Sequence, residues 1–203
     1  MTDEESLRIH LPKFLSTESL KDAIQAIRDF PDSLDQRFYT KRLLGEAAVF
    51  QGDGIRGMPY HDFRQGKTKM VTAMILSNTC DIDPANQRFV PPSITYAPIF
   101  PLSAYRTILS ESGALRADQV EGKITGLQSQ EVTNRLYLPA YEGLPPSVVL
   151  LDRIMSCPNT YLDREALQEQ RLFVLSDYGA FLLALKLSIH FCRFQDKVDR
   201  GAV

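Results

Sequence analysis

Residues Lys69–Leu102 read KMVTAMILSNTCDIDPANQRFVPPSITYAPIFPL. Val71 to Leu76 is a nearly unbroken apolar run, the pattern of a strand buried on both faces. It stops at Ser77-Asn78-Thr79-Cys80-Asp81, small or polar residues that hydrogen-bond their own backbone and so favour a turn. A polar loop runs on to Pro92. Ile94 to Phe100 then reads as a second strand, with Pro98 best placed at an edge or a bulge because it has no N–H to give a ladder.

Outward from this stretch the chain reads as short strands between terminal helices. Ser16 or Thr17 can cap a helix carrying Leu20, Ala23, Ile24, Ile27 and Phe30 on one stripe, ended by Pro31. Residues 35–44 suggest a short basic helix, and Gly45–Phe50 a first strand. Residues 51–68 are rich in glycine and polar side chains and read as a long loop. Gly52-x-Gly54-x-x-Gly57 has the dinucleotide spacing, but Met58-Pro59 stands where the helix should begin, so a phosphate cradle is not expected. Tyr105–Leu115 suggests a helix or turn, and residues 116–134 a polar insertion. Leu136–Leu138 and Ser147–Met155 suggest strands. Asp163 can cap a helix to about Leu175, and Ser176 or Asp177 the terminal helix. The organisation expected is a helical arm over 1–44, a small barrel over 45–155 and packed helices over 156–203, an α+β fold.

Composition excludes several classes. With 203 residues and 44% hydrophobic residues the chain can bury a real core. A formal net charge of −2 is ordinary, so any nucleic-acid surface has to be local. Three cysteines without a CxxC spacing argue against a disulfide framework and for a reducing, cytoplasmic setting. The acidic start, MTDEESLRIHLPKF, does not read as a signal peptide, and Lys186, His190 and Arg193 interrupt the most apolar helix, so neither a leader nor a membrane partner is expected. His10, His61 and His190 are scattered and no HExxH occurs; neither a metal nor another cofactor is expected. No GxSxG is present to suggest a serine hydrolase.

A strand ending Ile75-Leu76-Ser77-Asn78, followed by one reading Tyr96-Ala97-Pro98-Ile99, resembles the MazF/PemK group of SH3-like barrels. The resemblance covers residues 45–102 and extends toward 155. It implies an SH3-like barrel of bacterial or phage toxin-like or defence-related background, with RNA as partner and an antitoxin-like protein or a second copy as further ones. Departures are as informative. Aligned on Ser77-Asn78, the Arg-Pro that this family uses for cleavage is Val71-Thr72, and Phe100 follows the Pro-Ile pair instead of a hydroxyl residue. MazF-type endoribonuclease activity is therefore not expected. The reading that follows is a protein associated with RNA or another nucleic acid, with a ribonuclease of displaced active site left open; the alternative is a non-catalytic protein–protein interaction module on the same barrel.

Two constellations stand out. Asn78, Cys80 and Asp81 end the central strand, where side chains are positioned and accessible. A cysteine nucleophile needs a nearby cation or a helix N-terminus, and an adjacent aspartate works against it. The plainer reading is that Asp81 caps the turn and Cys80 packs as a small hydrophobe. On the terminal helix Lys186, His190, Arg193 and Lys197 fall within a band about 60° wide on a surface otherwise mostly apolar. That stripe reads first as a solvated face and second as the lining of an anion-binding groove. A third arrangement has His190 or Arg193 facing Asp81 across a cleft.

Overall fold

The structure, a computed structural model, describes residues 37–86 and 88–192. The strands are β1 (Tyr39–Thr40), β2 (Gly54–Asp62), β3 (Lys67–Ile75), β4 (Ser93–Pro101), β5 (Arg135–Leu138), β6 (Ser147–Leu150), β7 (Met155–Pro158) and β8 (Arg171–Leu175). The helices are α1 (Thr79–Ile82), α2 (Leu102–Glu111), α3 (Ala117–Gln128), α4 (Leu167–Gln170) and α5 (Asp177–Cys192). The fold is α+β. The strands lie in the order β1-β8-β2-β3-β4-β6-β5, every pairing antiparallel, with β7 on β4 off that path.

The central run behaves as its pattern demands. Along β3, Ala73 and Ile75 enter one core cluster and Met74 the other, since side chains alternate across a strand. Val148 and Val149 of β6 divide likewise between two clusters. Both faces of this antiparallel sheet are therefore covered. Tyr178, Leu182 and Leu183 of α5 cover one face. Val49, Leu162 and Leu167 cover another region, and Val120, Ile124 and Leu127 of α3 cover β6.

The sheet does not close into a barrel. β4 shares its length among three partners: Ser93–Tyr96 with β7, Tyr96–Pro98 with β3, and Ile99–Pro101 with β6. The sheet splays at β4, and among the described residues no ladder joins β1 to β5. The two ends meet through side chains only. Tyr39 donates its hydroxyl to Pro139 O at 2.8 Å, and its ring lies 4.5 Å from that of Tyr141.

Several expected elements are corrected. Residues 51–68 are not a loop but most of the β2–β3 hairpin. Its three spaced glycines serve the backbone: Gly52 turns at φ +93°, Gly54 lies flat under the Phe173 ring, and Gly57, at φ +77°, sits where the register shifts between Ile55 and Met58. The insertion 116–134 carries α3, whose apolar stripe fills a core. Asp163 does not cap a helix: its carboxylate accepts from Glu165 N and Ala166 N in a turn, and the brief helix that follows starts at Leu167 after Ala166 and gives way to β8. Phe173, Val174 and Leu175 are all buried, and a short run apolar at every position carries neither period. The segment 156–203 thus adds two strands as well as helices. Residues 35–44 contain β1, and 45–50 form no strand. The arm over residues 1–36 and its apolar stripe lie outside the described residues.

In place of the strand expected at Gly45–Phe50, residues 43–50 form a loop wrapped around Arg171. The guanidinium donates to the carbonyls of Leu43, Leu44, Glu46 and Ala48. It also pairs with Asp53 at 3.1 Å, both side chains fully buried. Burial pushes the Asp53 carboxyl up to about 6 against the pull of the Phe50 N–H and Arg171, so it remains ionised at neutral pH. Removing one partner strands a charge in the core. Asp53→Asn should lower unfolding free energy by about 3–5 kcal/mol in urea melts. The double variant Asp53→Asn/Arg171→Met should not recover it, because four carbonyls stay orphaned. Recovery to wild-type stability would show that those carbonyl bonds contribute nothing.

Candidate functional site

The turn after β3 is held at nearly every residue. Gln51 donates its side-chain amide to Leu76 O at 2.7 Å, and its backbone N–H to Thr79 Oγ1 at 3.0 Å. Ser77 Oγ accepts from Thr95 N at 2.7 Å. Asn78 caps α1, accepting from Cys80 N at 3.0 Å, and Asn86 donates to Cys80 O. Ile82 O receives Asn159 at 2.9 Å and Arg164 at 3.1 Å, while the Ile82 side chain is buried in a core cluster. A turn pinned this way holds its outward side chains in a set geometry.

The expected roles within it are redistributed. Asn78, not Asp81, is the cap. Cys80 is exposed and does not pack; the hydrophobe of this turn is Ile82, two residues on. Asp81 points outward and pairs with Arg88 at 2.5 Å, each side chain about half exposed.

Asp81 and Arg88 stand on a cleft of about 680 Å³, a volume in the range of small-ligand sites. Leu76 and Ile154 line it from the sheet side, and Leu187 and Phe191 from α5. Ser77 and Thr95, bonded to each other through the Thr95 N–H, also line it. Among the described residues, the terminal helix faces the turn with its i, i+4 apolar pair Leu187 and Phe191 and not with Lys186 or His190.

Of the basic stripe, the two described members sit differently from each other. Lys186 is only 6% exposed, on the buried side of α5, and donates to Gln130 O. It is neither solvated nor groove-lining. His190 is half-buried, its ring 4.7 Å from Phe191. Arg193 and Lys197 lie outside the described residues. A helix apolar nearly all round does not announce which side faces inward, so the wheel fixed the stripe's width and not its direction. Gln130, a non-glycine residue at φ +58°, also brackets Tyr137 with its side-chain amide, giving and accepting one bond at the free edge of β5. Lys186 therefore ties α5 to that edge.

A second surface was not foreseen. From Met58↔Val71 to Asp62↔Lys67 the β2–β3 hairpin has no third strand among the described residues, since β8 pairs β2 only at Gly54 and Ile55 and β4 pairs β3 only from Ala73. This ribbon projects past the sheet. Tyr96 anchors its base by donating to Pro59 O at 2.6 Å. Asp62 accepts from Arg64 N and closes the turn. Around it stand Arg64, Lys67 and Lys69, with Lys69 5.6 Å over the Tyr60 ring and His61 4.8 Å from Phe63, which is 82% exposed. The signal was present in the sequence as cations and aromatics in one short stretch, but glycine content made it read as a loop.

Among the described residues no group of His, Cys, Asp and Glu is placed to hold a metal ion, and no helix is long and apolar enough to cross a membrane. No protein-family model matches the chain, and no curated protein sequence does.

Burial draws the Lys186 ammonium down from its ordinary value to about 8. Between pH 8 and 10.5 the unfolded chain keeps that proton and the folded chain loses it, so unfolding free energy rises with pH across this window. The difference between wild type and Lys186→Met, measured by urea unfolding, should grow in favour of wild type by up to roughly 3 kcal/mol from pH 8 to 10.5. A difference that stays flat would show the ammonium to be solvated.

Proposed function

We propose that this chain is a non-catalytic RNA-associated protein that binds single strands through the β2–β3 ribbon. One observation carries the reading: a ribbon without a third strand among the described residues bears Arg64, Lys67 and Lys69 beside the exposed Phe63 ring. Cations interleaved with aromatic faces are what single strands need, phosphates pairing with the former and bases stacking on the latter. The deep, narrow major groove of duplex RNA excludes such a ribbon, which favours unpaired RNA. The toxin-like or defence-related background belongs to the same proposal, as does an open variant of the SH3-like barrel. The curl that brings Tyr39 to Pro139 supports the latter.

A second reading, a protein–protein interaction module, is favoured by the cleft and by the apolar side chains around it. Phe89 and Val90, next to Arg88, are fully exposed or nearly so, and Phe191 is 63% exposed.

The first reading is tested by anisotropy of a fluorescein-labelled single-stranded 12-mer RNA between 50 and 200 mM salt. Replacing Lys67 and Lys69 by Ala should weaken binding and flatten the log K against log salt slope by about 1.4. Phe63→Ala should cost about 1–3 kcal/mol with the slope unchanged. No binding by wild type at 50 mM salt, or equal binding by the variants, would refute the ribbon.

Catalysis is tested separately. Val71 and Thr72, in β3, offer no guanidinium to a scissile phosphate. RNA incubated with the purified chain should run intact on a denaturing gel, with or without EDTA. Reproducible cuts that co-purify with the chain would overturn the non-catalytic assignment.

A further inference from the structure

The cleft beside α1 differs in character from the ribbon. Its apolar walls come from two directions, Leu76 and Ile154 on one side and Leu187 and Phe191 on the other. Its charges cancel, because Asp81 and Arg88 are paired to each other. An anion would meet Asp81 as well as Arg88, and a cation the reverse, so neither is favoured by the local field. A group offering an acceptor and a donor side by side suits both partners: its carbonyl takes an N–H of Arg88, and its N–H gives to Asp81. The peptide amide is such a group. Arg88 contacts Asp81 through one nitrogen, so other guanidinium N–H groups point elsewhere.

The rim extends the apolar surface. Phe89 and Val90 follow Arg88, while Leu185 and Ile189 stand exposed on α5. From Tyr178 to Phe191 that helix carries only Lys186, which is buried, and half-buried His190 as ionisable groups apart from the Tyr178 phenol. An exposed helix face without charge, beside a pinned turn, is a surface for apolar side chains. Deepening the interaction-module reading, on which this rests, we infer that the cleft binds an uncharged apolar peptide segment of a partner protein. Large aliphatic or aromatic side chains fill the space between the sheet and α5, and one backbone amide is read by Asp81 and Arg88. The turn is already held by Gln51, Asn159 and Arg164, so it needs no reordering on binding.

The experiment is panning of a random 12-mer peptide phage library against the full chain, followed by anisotropy of the best synthetic peptide. Enriched peptides should share two or more large apolar side chains without a charged consensus. Phe191→Ala, at an exposed position that the fold does not need, should raise Kd about tenfold or more, and Leu187→Asp further. Asp81→Ala/Arg88→Ala should raise it about threefold, and 50 to 200 mM salt should leave it within about twofold. Absence of enrichment, or peptides that bind the Phe191→Ala variant unchanged, would overturn both the inference and the module reading. An acidic, salt-sensitive consensus would overturn the uncharged occupant alone. Displacement of the peptide by laurate at equal concentration would assign the cleft to a small amphiphile and sink both. A concentration-dependent dimer in sedimentation, abolished by Phe191→Ala, would keep the module and replace the partner by a second copy.

Discussion

A guanidinium buried without water has to find acceptors for its N–H groups, and Arg171 finds them in the loop at residues 43–48 and in Asp53. This constraint orders a stretch that has no ladder of its own. It also ties β8, where Arg171 stands, to the entry of β2, where Asp53 stands. Ion pairs in a core are weak sources of net stability, since desolvation offsets their attraction. Asp53 Oδ1 and Arg171 Nε even lack hydrogen-bond partners among the described residues. The arginine's contribution is architectural: it substitutes for a strand at a place where the chain could not form one.

From that anchoring the cleft follows. Gln51 and Asp53 belong to the same turn between the Arg171-bound loop and β2. Gln51 reaches across to Leu76 and Thr79, so the order imposed by Arg171 is passed to the end of β3. On the far side, Asn159 and Arg164 clamp Ile82. The outward residues of α1 are thus fixed by contacts from both directions. The opposite wall belongs to α5, whose place is set at its start by a close approach. A Cβ on Gly179 would lie 2.3 Å from Phe38 O, closer than any side chain tolerates. Further along, Lys186 bonds Gln130, and with the rotation of the helix so set, Leu187 and Phe191 face the cleft.

The chain therefore presents two surfaces of different physics. One is a projecting ribbon on which cations and rings alternate. The other is a recess in which charges cancel and apolar side chains dominate. The two share no residue, so each can be altered without touching the other.

Sequence alone determined what rests on local pattern. Ala73 to Leu76 is apolar at every position, and β3 is buried on both faces there; Ser77-Asn78 does end it. Ser176 caps α5, accepting from Gly179 N. The α+β class follows from such runs. Tertiary structure decided what depends on partners distant in the chain. Asp81 pairs with Arg88 from its own loop, seven residues on, a partner that no local pattern specifies. The Phe173–Leu175 run became a strand because β1 and β2 stand on either side of it. Barrel closure was lost because β4 divides its hydrogen bonds among three strands. A side chain's period specifies a face, but only the packed neighbour specifies which way that face turns.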